Sequence, residues 1–130
     1  MAQTQRKKIL LIEDDGGVVE VLRKRLEQAG FDTHAEGRGA SGLSAAMQQR
    51  PDLVILDLGL PDISGYEVCH ELRKLYNRWD VPILMLTGMD RPADQLRGYA
   101  HGADAYLTKP YEPAELMKTI RLLLGEVVPA

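Results

Sequence analysis

The chain has 130 residues, of which 45% are hydrophobic and 27% are charged, the balance of one ordinary globular domain. Its net charge of −3 disfavours direct binding to nucleic acid, and its single cysteine excludes an internal disulfide framework. The first apolar run, residues 9–12, is too short for the core of a signal peptide or for a membrane span. We therefore expect a single cytoplasmic domain over residues 1–130, with no membrane insertion.

Five apolar runs divide the chain into units of similar length. They cover residues 9–12, 31–36, 53–56, 83–86 and 105–107. Three of the runs are continuous rather than alternating, which is typical of strands that are buried on both faces of a parallel sheet.

Helical patterns separate the runs. Val18, Leu22 and Leu26 recur at helical spacing, and Gly30 follows them where a C-terminal glycine cap is expected. The segment 39–49 is a poorer helix because of its glycines and serines, but a parallel connection requires a crossover there. Ser64 begins a capping-box sequence that predicts the third helix.

The last two helices also have start signals. Asp90 with Pro92 predicts a capped start for the fourth helix, and Ala93, Leu96 and Ala100 are its apolar positions. The fifth helix is predicted to open at Pro113 and to present Leu116, Ile120, Leu123 and Leu124 to the core.

This alternation predicts an α/β fold: a doubly wound (βα)5 domain with a parallel five-stranded sheet in the order 2-1-3-4-5, which is flavodoxin-like. In such sheets ligands bind beyond the carboxyl ends of the strands. Four strand ends carry reactive side chains here, which are Glu13 with Asp14, Asp57, Thr87 and Lys109.

The acidic residues among them predict a cation site. Glu13 and Asp14 follow the first strand and Asp57 follows the third, and these strands are neighbours in the predicted order. Crowded carboxylates repel one another unless a cation is present, and Mg²⁺ suits such oxygen ligands. The alternative is that acidic residues simply begin helices, which we accept for Asp15.

Thr87 and Lys109 have ordinary interpretations when each is taken alone. Thr87 could make only a turn or capping bond, and Lys109 could be an exposed side chain beside the turn at Pro110. In the predicted sheet, however, the ammonium of Lys109 would point along the edge toward Asp57, where it could pair with a carboxylate or a phosphoryl oxygen.

At this point the residues match a family. The chain resembles the receiver domain of bacterial two-component response regulators, and among them the stand-alone chemotaxis-type regulators. Four segments carry the resemblance, and their order and spacing make it specific: residues 11–15 (LIEDD), 51–65 (PDLVILDLGLPDISG), 84–88 (LMLTG) and 102–110 (GADAYLTKP).

The resemblance implies a role for each strand-end residue. Asp57 would be the phosphoacceptor that takes a phosphoryl group from a sensor histidine kinase or a phosphotransfer protein. Glu13 and Asp14 would hold Mg²⁺ with Asp57 and the backbone carbonyl of Gly59. Lys109 would neutralise charge on the phosphoryl oxygens.

The resemblance also implies how the signal would leave the site. Thr87 would bond to the phosphoryl group, and Tyr106 would swing inward into the space that this movement opens. The face formed by the fourth helix, the fifth strand and the fifth helix would then change and dock a downstream protein. The ordinary alternative for Tyr106 is a half-buried ring with a wet hydroxyl. The resemblance further implies a cis peptide bond between Lys109 and Pro110.

Some positions depart from the usual pattern. Gly59 has no side chain to cover the acyl phosphate, whereas Met89 would shield one side of it. These two features would change the rate of hydrolysis of the acyl phosphate in opposite directions. Regulators with a winged-helix DNA-binding domain carry an acidic residue where this chain has Ala105 and an arginine where it has Thr119. We therefore favour a stand-alone relay over the receiver module of a longer protein with a separate effector domain.

Three other functions fit these residues less well. A small aspartyl-phosphate phosphatase of the haloacid-dehalogenase type needs a second aspartate where Gly59 stands. A flavodoxin-like electron carrier needs a phosphate loop where Glu13, Asp14 and Asp15 would repel phosphate. A degenerate receiver that acts only as a binding module would not need the complete set of reactive residues. We expect a signalling domain that catalyses only its own phosphorylation and dephosphorylation.

Overall fold

The predicted strands form one parallel sheet in the computed structural model, which describes residues 6–77 and 79–126. The strands are β1 (Lys8–Ile12), β2 (Asp32–Glu36), β3 (Leu53–Leu56), β4 (Ile83–Thr87) and β5 (Ala105–Thr108). Their order is β2-β1-β3-β4-β5, and every neighbouring pair is parallel. The predicted doubly wound topology is therefore confirmed.

Each strand is followed by a helix. The helices are α1 (Gly16–Gln28), α2 (Gly39–Gln48), α3 (Gly65–Leu75), α4 (Pro92–Ala100) and α5 (Pro113–Leu123). Within residues 6–77 and 79–126, no helix is long and apolar enough to cross a membrane.

The sheet separates two apolar layers, which explains why the strand sequences are continuous apolar runs. On one side Leu22 and Leu26 of α1 pack with Leu116 and Ile120 of α5. On the other side the side chains of α2 and α3 pack against alternate strand residues, and Tyr106 belongs to this layer. Burial of both faces leaves the strand ends as the place where polar groups reach solvent.

The starts and ends of several helices follow local sequence signals. Asp15 caps α1 by accepting hydrogen bonds from the backbone N–H groups of Gly17 and Val18. Gly30 follows this helix with a φ of 100°, a left-handed conformation that favours glycine. Ser64 caps α3, but its hydroxyl accepts from the N–H of Tyr66 rather than from that of Glu67.

The weak helix signal of α2 has a packing explanation. Gly42 is buried against β1, and a Cβ atom there would lie 2.6 Å from the side chain of Ile12. The glycines that lower the helix propensity of this segment therefore let α2 pack closely on the sheet.

The helix α4 begins at Pro92, but its predicted cap and apolar face were wrong. The helix is capped at Arg91 rather than Asp90, and the carboxylate of Asp94 accepts the Arg91 N–H. Ala93, Leu96 and Ala100 are all exposed. The buried residues of this helix are Asp94 and Gly98, because the helix approaches β5 too closely for a larger side chain at position 98.

Candidate functional site

Three carboxylates meet at the carboxyl end of the sheet. Oxygen atoms of Glu13, Asp14 and Asp57 all lie within 4.8 Å of one another. Glu13 is buried, Asp57 is half-buried and Asp14 is exposed, so the cluster opens to solvent on one side. The donor set, three carboxylates on a water-accessible edge, suits a hard divalent cation.

Main-chain hydrogen bonds hold these residues where the strands end. The N–H of Glu13 donates to the carbonyl of Glu36 at 3.0 Å, and the N–H of Asp57 donates to that of Ile12 at 2.9 Å. The Oδ1 atom of Asp57 accepts the N–H of Leu58 at 2.8 Å, which fixes the orientation of its carboxylate. The sheet ladder therefore sets the spacing of the acidic groups.

Lys109 brings the positive charge of the site. Its ammonium is bonded to Oε1 of Glu13, and its Nζ atom lies 3.6 Å from Oδ2 of Asp57. The side chain does reach toward Asp57, as the sheet order suggested, but its nearer partner is Glu13. The peptide bond between Lys109 and Pro110 is cis, as the family resemblance implied.

Burial and neighbouring charge shift the protonation of this pair. Burial raises the pKa of Glu13, and the charge of Asp57 adds to this, whereas the contact with Lys109 opposes both. Burial alone would lower the pKa of Lys109, but its bond to Glu13 and the charge of Asp57 outweigh burial and raise it. The ammonium is therefore firmly charged at neutral pH.

Thr87 ends β4, the strand next to the one that leads to Asp57. It is only 1% exposed, and its hydroxyl accepts a hydrogen bond from the N–H of Met89 at 3.4 Å. This is the turn bond that we considered as its ordinary role. The carbonyl of Thr87 also accepts the N–H of Lys109 at 2.8 Å, which ties the ends of β4 and β5 together.

Tyr106 is turned into the protein. Its side chain is 7% exposed, and its hydroxyl donates to the carbonyl of Met89 at 2.7 Å. Burial raises its pKa to about 12. The alternative of a half-buried ring with a wet hydroxyl was wrong, because the loop after β4 supplies an acceptor.

The comparisons with known proteins agree with this geometry. The family model described as "Response regulator receiver domain" matches residues 9–121. The chain belongs to the response regulator receiver domain family. Such domains are the receivers of two-component systems, and the resemblance read from the four sequence segments is confirmed.

Relatives and solved structures show how far the likeness extends. The DNA-binding dual master transcriptional regulator RpaA of Synechocystis is 40% identical over 90% of this chain and 48% of its own length. The BeF3-activated N-terminal receiver domain of Klebsiella pneumoniae RstA is 32% identical, with a TM-score of 0.86, over 91% of this chain and 98% of that one. This receiver domain spans about half the length of the curated relatives it matches.

A third comparison bears on the acidic cluster. The receiver domain of the sensor histidine kinase PA1611 of Pseudomonas aeruginosa is 30% identical, with a TM-score of 0.85, over 94% of this chain and all of that one. The crystal structure of that receiver domain has a magnesium ion coordinated in its active site cleft.

The structure adds three residues to the surroundings of the receiver site. The carboxylate of Asp62 accepts the N–H groups of Gly39 and Ala40, so it caps α2 from the β3–α3 loop. Gly65 lies directly on the backbone of Asp57, and Tyr66 reaches from α3 to α4. Asp62 and Gly65 both lie in the segment 51–65, but the contacts of Asp62 and Tyr66 are long-range, so no local pattern reveals them.

Proposed function

We propose that this receiver domain is a phosphorylation-dependent switch in which Asp57 accepts a phosphoryl group from a histidine kinase or a phosphotransfer protein. The observation that carries the proposal is the grouping at Asp57 of two further carboxylates and an ammonium whose Nζ atom lies 3.6 Å from it. Such a set can hold a cation and balance the charge of a phosphoryl group.

The transfer needs no general base in the receiver domain. An ionised oxygen of Asp57 attacks the phosphorus of a phosphohistidine, and the bond between phosphorus and nitrogen breaks as the new P–O bond forms. The electron pair of the broken bond stays on the imidazole nitrogen of the donor. Lys109 is held beside the reacting oxygens by Glu13, where its charge offsets that of the phosphoryl group.

The acidic cluster fits a bound Mg²⁺ ion. Glu13, Asp14 and Asp57 would supply carboxylate oxygens, and we include the backbone carbonyl of Gly59 as a further ligand. When bound, the ion supplies positive charge that offsets carboxylate repulsion and the charge on the phosphoryl oxygens. The magnesium ion described for the PA1611 receiver domain supports this assignment.

The signal would leave through Thr87 and Tyr106. Phosphorylation adds a charge of about −1.5 to −2 and three acceptor oxygens, toward which the hydroxyl of Thr87 can turn by giving up its weak bond from Met89. The hydroxyl of Tyr106 donates to the carbonyl of Met89, so a movement of the loop after β4 would also change the contact of Tyr106. The surface of α4, β5 and α5 would then present a changed docking face to a downstream protein.

Whether the domain acts alone or within a longer protein is also part of the proposal. Residues 1–130 would form one receiver domain that acts either alone or as a module of a longer regulator. The relatives at about 40% identity are roughly twice as long, which supports the module arrangement. The name of one relative states DNA binding, and the absence of direct nucleic-acid binding by this domain stays a prediction.

Two further expectations belong to the same proposal. The domain would catalyse only its own phosphorylation and dephosphorylation, and Gly59 stands where a phosphatase of the haloacid-dehalogenase type needs its second aspartate. A single, buried cysteine supports the cytoplasmic location that we expect.

Incubation with acetyl phosphate and Mg²⁺ tests the proposal. Intact-protein mass spectrometry should show one added phosphoryl group in the wild-type protein and in the exposed control variant Asp90→Asn. Asp57→Asn should show none, and a chelator should abolish the reaction of the wild type. Modification that persists in Asp57→Asn, or that never appears in the wild type, would refute the assignment of Asp57.

A further inference from the structure

Helix α4 is attached to the domain with little apolar burial. Its two buried residues are Asp94 and Gly98, whereas Leu96 is 72% exposed and Tyr99 is 46% exposed. The other helices of the described chain bury leucine, isoleucine, valine or alanine against the sheet. The position of α4 must therefore depend more on specific contacts than on a hydrophobic face.

Tyr66, near the start of α3, makes several of these contacts. It is 3% exposed, and its hydroxyl donates to the backbone carbonyl of Asp94 at 3.2 Å. The guanidinium of Arg97 lies 4.2 Å from the centre of its ring, within the range of a cation–π interaction. The ring of His101, which caps the end of α4, lies 5.4 Å away, centre to centre.

The start of α3 is also in direct contact with Asp57. Gly65 donates its N–H to the carbonyl of Leu58 at 3.1 Å. A Cβ atom on Gly65 would overlap the carbonyl oxygen of Asp57 and would lie 2.6 Å from the Cα atom of Leu58. The residue before Tyr66 is therefore packed on the main chain of the proposed phosphoacceptor, with no space between them.

Tyr66 and Tyr106 each donate a hydroxyl hydrogen bond to a backbone carbonyl at the start of α4 or in the loop before it. Tyr106, on β5, donates to the carbonyl of Met89, and Tyr66, on α3, donates to the carbonyl of Asp94. These two carbonyls lie on either side of Pro92, where α4 begins. Both side chains belong to the same buried core cluster.

We propose that Tyr66 is a second positioning residue of the switch, which couples the main chain at Asp57 to α4 through its hydroxyl bond to Asp94 and its contact with Arg97. The inference rests on the proposed function and adds to it a route that does not pass through Thr87. Movement of α4 would require this anchor to break or re-form, together with that of Tyr106.

Tyr66→Phe is the variant that tests the anchor, because it keeps the buried ring and removes only the hydroxyl. Tyr76→Phe is a matched control, since the hydroxyl of Tyr76 also donates to a backbone carbonyl, that of Ala46 in α2, at 2.8 Å. Amide hydrogen exchange is measured for both variants and the wild type, with and without beryllofluoride and Mg²⁺.

In the absence of beryllofluoride, Tyr66→Phe should speed exchange in α4 by about two- to tenfold, the loss expected for one buried hydrogen bond. Tyr76→Phe should speed exchange in α2 and leave α4 unchanged. Beryllofluoride should alter exchange in α4 of the wild type, and Tyr66→Phe should reduce that response at least twofold. Phosphorylation of Asp57 by acetyl phosphate should persist in both variants.

The outcomes separate the inference from the function on which it rests. If beryllofluoride alters α4 equally in the wild type and in Tyr66→Phe, Tyr66 is a structural residue only and the inference is overturned. The same conclusion holds if both tyrosine variants speed exchange in α4 alike. If the wild type is neither phosphorylated nor changed by beryllofluoride, the proposed function fails, and the inference fails with it.

Discussion

Lys109 makes its closest contact with Glu13, while its Nζ atom lies 3.6 Å from Oδ2 of Asp57. One ammonium is therefore shared by two carboxylates that come from different strands. Burial and the charge of Asp57 raise the pKa of Glu13, whereas the contacts with Lys109 and with the N–H of Asp15 oppose that rise. The same contact places the ammonium beside the proposed Mg²⁺ ligands.

Lys109→Met should therefore separate metal binding from phosphoryl transfer. Removal of a positive charge beside the cluster should raise Mg²⁺ affinity by about two- to tenfold, measured by isothermal titration calorimetry. Phosphorylation by acetyl phosphate should slow by at least about tenfold, because the charge on the phosphoryl oxygens is less well balanced. Lys118→Met, on the exposed side of α5, should change neither quantity. Weaker Mg²⁺ binding in Lys109→Met would contradict this account of the site.

Gly65 and Gly59 provide a matched pair of substitutions in the β3–α3 loop. A Cβ atom at Gly65 meets the backbone of Asp57 and Leu58, whereas one at Gly59 meets nothing within 4 Å. Gly65→Ala should lower the free energy of unfolding by about 1–3 kcal/mol, and Gly59→Ala should change it by no more than about 0.5 kcal/mol. Urea denaturation measures both. Equal effects would show that the loop can move away from Asp57.

Asp62 should make the stability of the domain depend on pH. Hydrogen bonds from the N–H groups of Ala40 and Gly39 lower the pKa of this carboxyl below its usual value of 3.8. Its contribution to stability is therefore present above that value and is lost as the pH falls through the lowered pKa. Asp62→Ala should be less stable than the wild type at pH 7, and the difference should shrink as the pH falls below about 4.

Asp62→Asn is the control for the charge of this cap, because it keeps one acceptor oxygen that cannot ionise. Its stability should lie between those of the wild type and Asp62→Ala at pH 7. A difference between the wild type and Asp62→Ala that stays constant from pH 7 to pH 3 would rule out the ionised cap.

Tyr106 should affect stability at the opposite end of the pH range. Because burial raises its pKa from 10.0 to about 12, the fold disfavours the phenolate. The stability that this hydroxyl contributes is present below pH 10 and is lost as the pH rises toward 12. Urea denaturation between pH 9 and 11 should show a smaller loss of stability for Tyr106→Phe than for the wild type. Tyr99→Phe, which removes an exposed hydroxyl, should follow the wild type.

Much of the site could be predicted from the sequence because parallel strands bring their carboxyl ends to one edge. Glu13, Asp57 and Thr87 follow apolar runs directly, so the topology alone places them together. The nearer partner of Lys109 could not be predicted in this way. It depends on the burial of Glu13, which the acidic sequence 13–15 does not reveal.

The fourth helix shows where periodicity misleads. Its apolar residues at helical spacing lie on the exposed face, because Gly98 is the position that packs on Met85 and Tyr106. The contacts of Asp62 and Tyr66 join elements that are far apart in the chain, and no local pattern signals them. Sequence periodicity locates a core face only where apolar burial, rather than close backbone approach, fixes the helix.

The central claim is that Asp57 carries the phosphoryl group, and chemical mapping of the modified residue tests it most directly. The protein is phosphorylated with acetyl phosphate and Mg²⁺ and reduced with sodium borohydride, which converts an aspartyl phosphate to homoserine. Peptide mass spectrometry should then find homoserine at position 57 and aspartate at positions 14, 52 and 62. Homoserine at another aspartate, with Asp57 unmodified, would contradict the account.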